Sequence, residues 1–282
     1  MDNMDKAKTT LSIIFAFLII SILISVYAMA KPNTDRVTDT NVKSGNVVVI
    51  PANAVEVAPN VFSLGTATDV DGRVVEGLMF IDYKKGYAKP PWAGGGSGTT
   101  KCYSFLANGA KWKTVEPWIV NPANTEGLGN SFVFDNLVAD IQKWEDASST
   151  NILGDGIINI TTLVADTSST DGKNEVYFGD VDSPGAIAVT IVWGYFSGPP
   201  GLRELVEWDQ VYDQVDFKWN NTGEDGKMDF ENIATHELGH SVGMGHPEGT
   251  CIEETMYAYA GFGETKKRSL NAGDIAGVNE LY

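Results

Sequence analysis

Hydrophobic positions along the chain fall first into one long run and then into many short ones. Residues 11–27 are almost wholly apolar and follow Lys6 and Lys8; no later stretch is as long. A polar stretch over 31–46 reads as a spacer. Residues 47–50, 55–64 and 73–82 then carry β-type patterns, with Asp71 and Gly72 supplying the turn between the last two. Residues 89–98 are prolines followed by a glycine run, the composition of a linker or an exposed cleavable loop. Beyond it, Phe134, Leu137, Val138, Ile141 and Trp144 recur at helical spacing and predict a helix over 132–147. Strands are expected over 157–164, 175–178, 186–196 and 206–217. Helices are expected over 228–242 and 272–281, the second opened by Asn271 with Asp274 three residues on, like a capping box. This order predicts a mixed α/β (α+β) domain with helices packed on one twisted sheet. No internal repeat is visible.

Three segments follow. Residues 1–30 read as a signal peptide or signal anchor, because Ala28, Met29 and Ala30 give the small-x-small pattern that signal peptidases cut after. The apolar run is also close to the ~20 residues that span a bilayer, so retention as an anchor is the rival reading. Either way the chain beyond Ala30 is expected outside the cell, and membrane contact is expected only through an uncleaved N-terminal segment. Residues 31–98 form an N-terminal β-rich region with its glycine-rich linker, and 99–282 the main domain. A formal net charge of −17 disfavours nucleic acid and anionic membrane surfaces as partners. Two cysteines in an exported chain, Cys102 and Cys251, suggest a disulfide.

The chemistry concentrates in 236–246. All three histidines of the chain, His236, His240 and His246, lie there. Residues four apart share a helix face, so His236 and His240 aim at one ion. Gly243 suits the positive φ that ends a helix, after which His246 arrives as third ligand. Three protein ligands leave a fourth position open, which is the catalytic rather than the structural pattern of zinc. Glu237 stands beside the first ligand, where it would serve as general base toward a zinc-activated water.

This pattern, HExxHxxGxxH followed by Met256 in Glu254-Thr255-Met256-Tyr257, resembles the metzincin proteases with their Met-turn. Leu270, Asp274, Ile275, Gly277, Val278, Leu281 and Tyr282 at the end, and Val206-Glu207-Trp208-Asp209 before the zinc helix, are similar to the matrixin branch. The resemblance covers roughly 100–282. It implies a metzincin-like fold: a mostly parallel sheet with an antiparallel edge strand, an active-site helix and a C-terminal helix. It implies one catalytic Zn2+ and a secreted or surface-held zinc endopeptidase acting on protein or peptide. On this reading 99–282 is the catalytic domain and 31–98 a candidate propeptide. Substrate would pair with 185–192, residues 257–264 would wall the pocket beyond the cleaved bond, and Met256 would floor the metal. The chain departs from the family in two ways. No histidine is left for a second zinc, and 31–98 has no cysteine for a latency motif; a carboxylate such as Asp69 or Asp71 would have to substitute.

Weaker signals remain. Acidic loops at 166–171, at Asp180 with Asp182, and at Glu224 with Asp225 are candidate Ca2+ sites or plain solvated loops. Asn159 and Asn220 stand in glycosylation sequons, Asn220 being preferred because Asn159 falls in an expected strand. The competing functional class is a zinc-binding surface structural or interaction module without turnover. The intact Glu237 argues against it, since a module that only binds metal has no need of a base.

Overall fold

The computed structural model describes residues 47–87, 101–247 and 250–282; the expected signal segment 1–30 and the linker 89–98 lie outside them. Among the described residues no helix is long and apolar enough to cross a membrane.

The strands at the front of the described chain are β1 (Val47–Val48), β2 (Val55–Ala58), β3 (Val61–Thr68) and β4 (Val74–Lys84). One strand was expected over 55–64, but the chain turns there: Asn60 takes φ 65°, a left-handed conformation that asparagine tolerates. The turn at Asp71 and Gly72 forms as expected. Asp69 Oδ1 accepts from the Asp71 and Arg73 N–H groups at 3.0 and 2.8 Å, and Gly72 takes φ 82°. Then follow β5 (Ser104–Phe105), β6 (Trp118–Asn121) and helix α1 (Asn130–Ser148). The expected strand over 157–164 shrinks to β7 (Gly156–Ile158). Asn159 Oδ1 accepts from the N–H and hydroxyl of Thr161 at 2.9 and 2.8 Å, and this local turn competes with extension. Strands β8 (Asn174–Val181), β9 (Ala186–Tyr195) and β10 (Glu204–Asp213) come next. The last ends before its expected limit of 217 because Asp213 Oδ1 accepts from the N–H groups of Val215 and Asp216, at 3.0 and 2.6 Å.

Short strands β11 (Trp219–Asn220) and β12 (Met228–Asp229) lead into α2 (Phe230–Ser241). Asp229 caps that helix by accepting from the Asn232 N–H at 3.0 Å, so it starts two residues later than the pattern suggests. Strands β13 (Met244–Gly245) and β14 (Tyr259–Ala260) precede α3 (Ala272–Leu281), which matches its expected bounds.

The principal sheet is ten-stranded, with path β2-β3-β4-β9-β10-β8-β6-β7. Strands β10, β8, β6 and β7 run parallel, and β9 is antiparallel to β10. Strand β4 is antiparallel to β9 from Glu76 opposite Gly194 to Tyr83 opposite Ala186. The expected boundary at 98 falls on residues outside the described ones. The described residues fall in one compact unit, and the N-terminal strands are members of its sheet rather than a domain of their own. The reason is legible in β4. Residues 78–81 are continuously apolar, the signature of a strand covered on both faces, which a small free-standing hairpin cannot provide.

Two cores form, one on each face of the sheet. Trp118, Trp144, Trp208, Phe230, Leu238 and Val278 belong to the one that includes the helices. Val75, Met79, Ile81, Val189, Ile191 and Trp193 belong to the other. The Cys102–Cys251 disulfide is formed, with Cα atoms 5.3 Å apart, and ties the segment entering β5 to the loop after the histidines. Replacing both cysteines by serine should lower unfolding stability by about 2–5 kcal/mol, because the bond closes a long loop of the unfolded chain. Urea denaturation of the two proteins reads this directly; equal midpoints would show that the bond contributes nothing.

Candidate metal centre

Helix α2 places His236 and His240 one turn apart on one face. Gly243 at φ 105° ends the turn that follows, and β13 returns the chain so that His246 meets the other two. The His246 Nε2 lies 3.1 Å from His240 Nε2 and 3.3 Å from His236 Nε2. Nitrogens at tetrahedral vertices about 2.0–2.1 Å from a zinc ion sit about 3.3 Å apart, so the three donors fit that ion. The far ring nitrogens fix the tautomers. His236 Nδ1 lies 2.7 Å from the Thr255 carbonyl oxygen and His240 Nδ1 2.9 Å from that of Met244. A carbonyl only accepts, so each Nδ1 carries the proton and each Nε2 keeps its lone pair for a metal. Burial pushes all three imidazoles below their ordinary range, His240 to about 3, which keeps them neutral as ligation requires.

Glu237 is buried on the same helix. Its Oε2 accepts from the Thr190 hydroxyl at 2.5 Å, and its Oε1 has no hydrogen-bond partner among the described residues. Burial, and secondarily the charge of Asp82, raises the Glu237 carboxyl well above its usual range. Asp82 was not foreseen here. One of its oxygens, a ring nitrogen of His236 and an oxygen of Glu237 all lie within 4.8 Å of one another. Burial pushes Asp82 up to about 7 against the opposing pull of Lys267. Lys267 is itself fully buried, and its Nζ donates to the Tyr257 carbonyl at 2.5 Å.

Met256 is fully buried and packs under the helix at Gly239, where an added Cβ would run into its sulfur. The turn that holds it is built by Asp274. Its Oδ2 accepts from the Thr255 N–H at 2.7 Å and its Oδ1 from the Met256 N–H at 3.1 Å, while the Asn271 N–H reaches Oδ2 at 2.9 Å. The expected capping residue of α3 therefore also orients His236, through Thr255. The capping-box spacing shows the first role in the sequence; nothing local shows the second, which needs a partner some twenty residues away.

Both segments expected to receive substrate are already engaged. Strand β4 lies antiparallel along the outer edge of β9 and parallel to β14, where Tyr259 pairs with Tyr83. Phe80, facing Thr190 across the strands, stacks on His240 at 4.2 Å and 19° and meets His246 edge-on at 6.0 Å. Asp69 and Asp71, expected as candidate metal-side carboxylates, instead bind Arg73 in their turn, and Asp69 also accepts from the Tyr195 hydroxyl.

Of the acidic loops, only Asp166 joins a group that could hold an ion among the described residues, with Glu207 and Asp209 of β10. Much of that group is spoken for. Asp209 accepts from the Glu175 and Asp166 N–H groups at 3.0 and 2.8 Å, and Glu207 Oε2 from those of Asp171 and Gly172 at 3.0 and 2.5 Å. The sequon preference also reverses. Asn220 is buried, donating to the Met228 carbonyl and accepting from the Thr222 N–H, whereas Asn159 is partly exposed.

Residues 195–282 match the matrixin family of peptidases. The chain is 37% identical to rat (Rattus norvegicus) matrilysin over 87 residues, 31% of this chain and 30% of the relative. It is 33% identical to cat (Felis catus) matrilysin over 105 residues, 37% and 36% of the two. It is 24% identical to metalloendoproteinase 5-MMP of Arabidopsis thaliana over 196 residues, 65% of this chain and 49% of that one. The chain thus spans about a third of the matrilysins it matches and about half of the plant relative. Over residues 195–282 the chain is similar to the matrixin peptidases, and its described residues form a mixed α/β fold.

Two outcomes test these placements, one at the histidines and one in the acidic group of β10. Asp274→Ala leaves the buried N–H groups of Thr255 and Met256 without acceptors. It should lower stability by at least about 2 kcal/mol and weaken zinc affinity about 10–100-fold in chelator competition, through His236. Glu207 is pushed by burial up to about 8 from an ordinary 4.5. Its folded form keeps a proton that the unfolded form has lost, so the stability it contributes is full below about 4.5 and falls as pH rises toward 8. In chelator, the thermal midpoint of Glu207→Gln should decline less between pH 5 and 8 than that of the wild type; parallel curves would refute the assignment.

Proposed function

We propose that this matrixin-like domain is a zinc-dependent endopeptidase that acts on extended protein chains outside the cell. One observation carries the reading: three buried imidazoles, two with Nδ1 tied to a backbone carbonyl, turn their Nε2 atoms to one point, and an oxygen of Glu237 lies within 4.8 Å of a ring nitrogen of the first of them, His236. His236, His240 and His246 hold the ion in this reading, with Met256 as its apolar floor. Zinc, when bound there, supplies a Lewis acid that polarises a carbonyl and acidifies water.

The remaining work belongs to the chain. The Thr190 hydroxyl occupies Glu237 Oε2, so Oε1 is the free oxygen. Through it Glu237 takes a proton from the attacking water and later delivers it to the departing amine. Burial raises the Glu237 carboxyl above its usual range, the direction that lets it hold the proton between the two transfers. A substrate strand would pair with β9 in place of β4, which occupies that edge in the structure, its scissile carbonyl brought toward the histidines. An endopeptidase fits such a through-running edge better than an exopeptidase, which needs a closed end. The Cys102–Cys251 bond suits an oxidising exterior.

Glu237→Gln should keep zinc at the wild-type level and cut turnover of a quenched protein substrate about 10²–10⁴-fold, assayed before and after limited proteolysis of the full chain. Zinc retained with undiminished turnover would remove Glu237 from the reaction. A protein that binds zinc but never cleaves, with or without proteolysis, would favour the binding-module reading.

A further inference from the structure

We propose that Thr190 and Gln210 are positioning residues for Glu237: together they form a polar seat on the sheet that holds its carboxylate in one orientation with Oε1 free. The inference rests on the reading of Glu237 as the base and deepens it.

On the face of the sheet toward the helices, Thr190 falls between Ala188 and Val192 on β9, and Gln210 between Trp208 and Tyr212 on β10. The two polar residues lie directly opposite each other in the antiparallel pair. Both are fully buried at positions where an apolar side chain would pack without burying a polar group. Their hydrogen bonds run to α2 instead. Thr190 Oγ1 donates to Glu237 Oε2 at 2.5 Å and lies 3.4 Å from the Glu237 carbonyl oxygen. Gln210 Nε2 donates to Ser241 Oγ at 2.9 Å, and Gln210 Oε1 accepts from the Tyr212 hydroxyl at 2.8 Å. Ser241 Oγ in turn reaches the Glu237 carbonyl oxygen at 3.5 Å, one helical turn back. Glu237 is thus gripped at its side chain from β9 and, through Ser241, at its backbone from β10.

Every side-chain oxygen and nitrogen of Thr190, Gln210, Tyr212 and Ser241 has a partner, whereas Glu237 Oε1 has none among the described residues. A fully satisfied buried network is rigid, and here its one open acceptor is the atom that must meet the attacking water. A carboxylate free to turn would spread that acceptor over several orientations, and a misplacement of about 1 Å can cost about 10²-fold in rate. Strand β9 is also where the substrate would pair, so the Thr190 bond fixes the base relative to the strand that sets the substrate's register.

The rival account is that Thr190 and Gln210 only fasten α2 to the sheet. The test uses the full chain loaded with zinc, assayed on a quenched peptide before and after limited proteolysis. Thr190→Val removes the hydroxyl and keeps the shape of the side chain. It should keep zinc at the wild-type level and lower kcat at least about tenfold with KM within about twofold. Thr190→Ser should recover most of that loss. Gln210→Met should lower kcat less, and the double variant should lose less than the two single losses multiplied, because both act on one carboxylate. Crystals of the metal-free proteins give a second readout. Glu237 should hold one orientation in the wild type, and turn away or occupy more than one in Thr190→Val. Should Thr190→Val fail to fold, Gln210→Met carries both readouts. A wild-type kcat in the variants, or a loss that Thr190→Ser does not recover, overturns the proposal. A lowered thermal midpoint with unchanged kcat and an unmoved Glu237 assigns the pair to fastening and overturns it too. Undiminished turnover in Glu237→Gln would remove the base itself, and this proposal with it; an inactive Glu237→Gln beside a fully active Thr190→Val overturns this proposal alone.

Discussion

The arrangement depends on burying three neutral imidazoles with their lone pairs facing one another. Left in water they would have no reason to converge. Inside the protein, two of them are oriented by carbonyl oxygens, Thr255 for His236 and Met244 for His240, which dictate which nitrogen keeps its proton. Burial then holds the rings uncharged, removing the repulsion that three imidazolium groups would suffer at such separations. A cluster of this kind is poor packing for its own sake and good preparation for a cation.

The carbonyls do their work only because the loop carrying them is itself anchored. Asp274 reaches from α3 to the N–H groups of Thr255 and Met256, so the C-terminal helix, the methionine turn and the first histidine form one connected unit. Gly239 lets the methionine approach the helix closely enough to close that unit from below. On the opposite side the sheet supplies Thr190, which takes one oxygen of Glu237 and leaves the other open. Helix, loop and sheet each constrain a different atom of the centre.

The sheet also explains why the N-terminal strands bear on the chemistry. Strand β9 is antiparallel to β10 and would otherwise present a bare row of backbone donors and acceptors, an edge that pairs readily with any extended chain. Strand β4 covers it, stacks Phe80 on His240 and brings Asp82 near His236 and Glu237. Whichever peptide pairs with β9 must compete with a strand that is part of the same chain.

The sequence alone determined that His236, His240 and His246 meet in one region, because helical periodicity and a helix-ending glycine act over a few residues. It likewise determined α3, whose start depends on the nearby pair Asn271 and Asp274, and the Asp71–Gly72 turn. Local side-chain bonds at Asn159 and Asp213 moved strand ends in ways that hydrophobic alternation does not encode. Only the tertiary structure decided that 74–84 is an inner strand of the same sheet, that Asp82 rather than Asp69 or Asp71 stands near the histidines, and that Lys267 and Asp274 are buried beside them. Each of those placements rests on pairing or packing between residues far apart in the chain. The register that sets them is chosen by the whole sheet and its two cores, and no short window of sequence carries it.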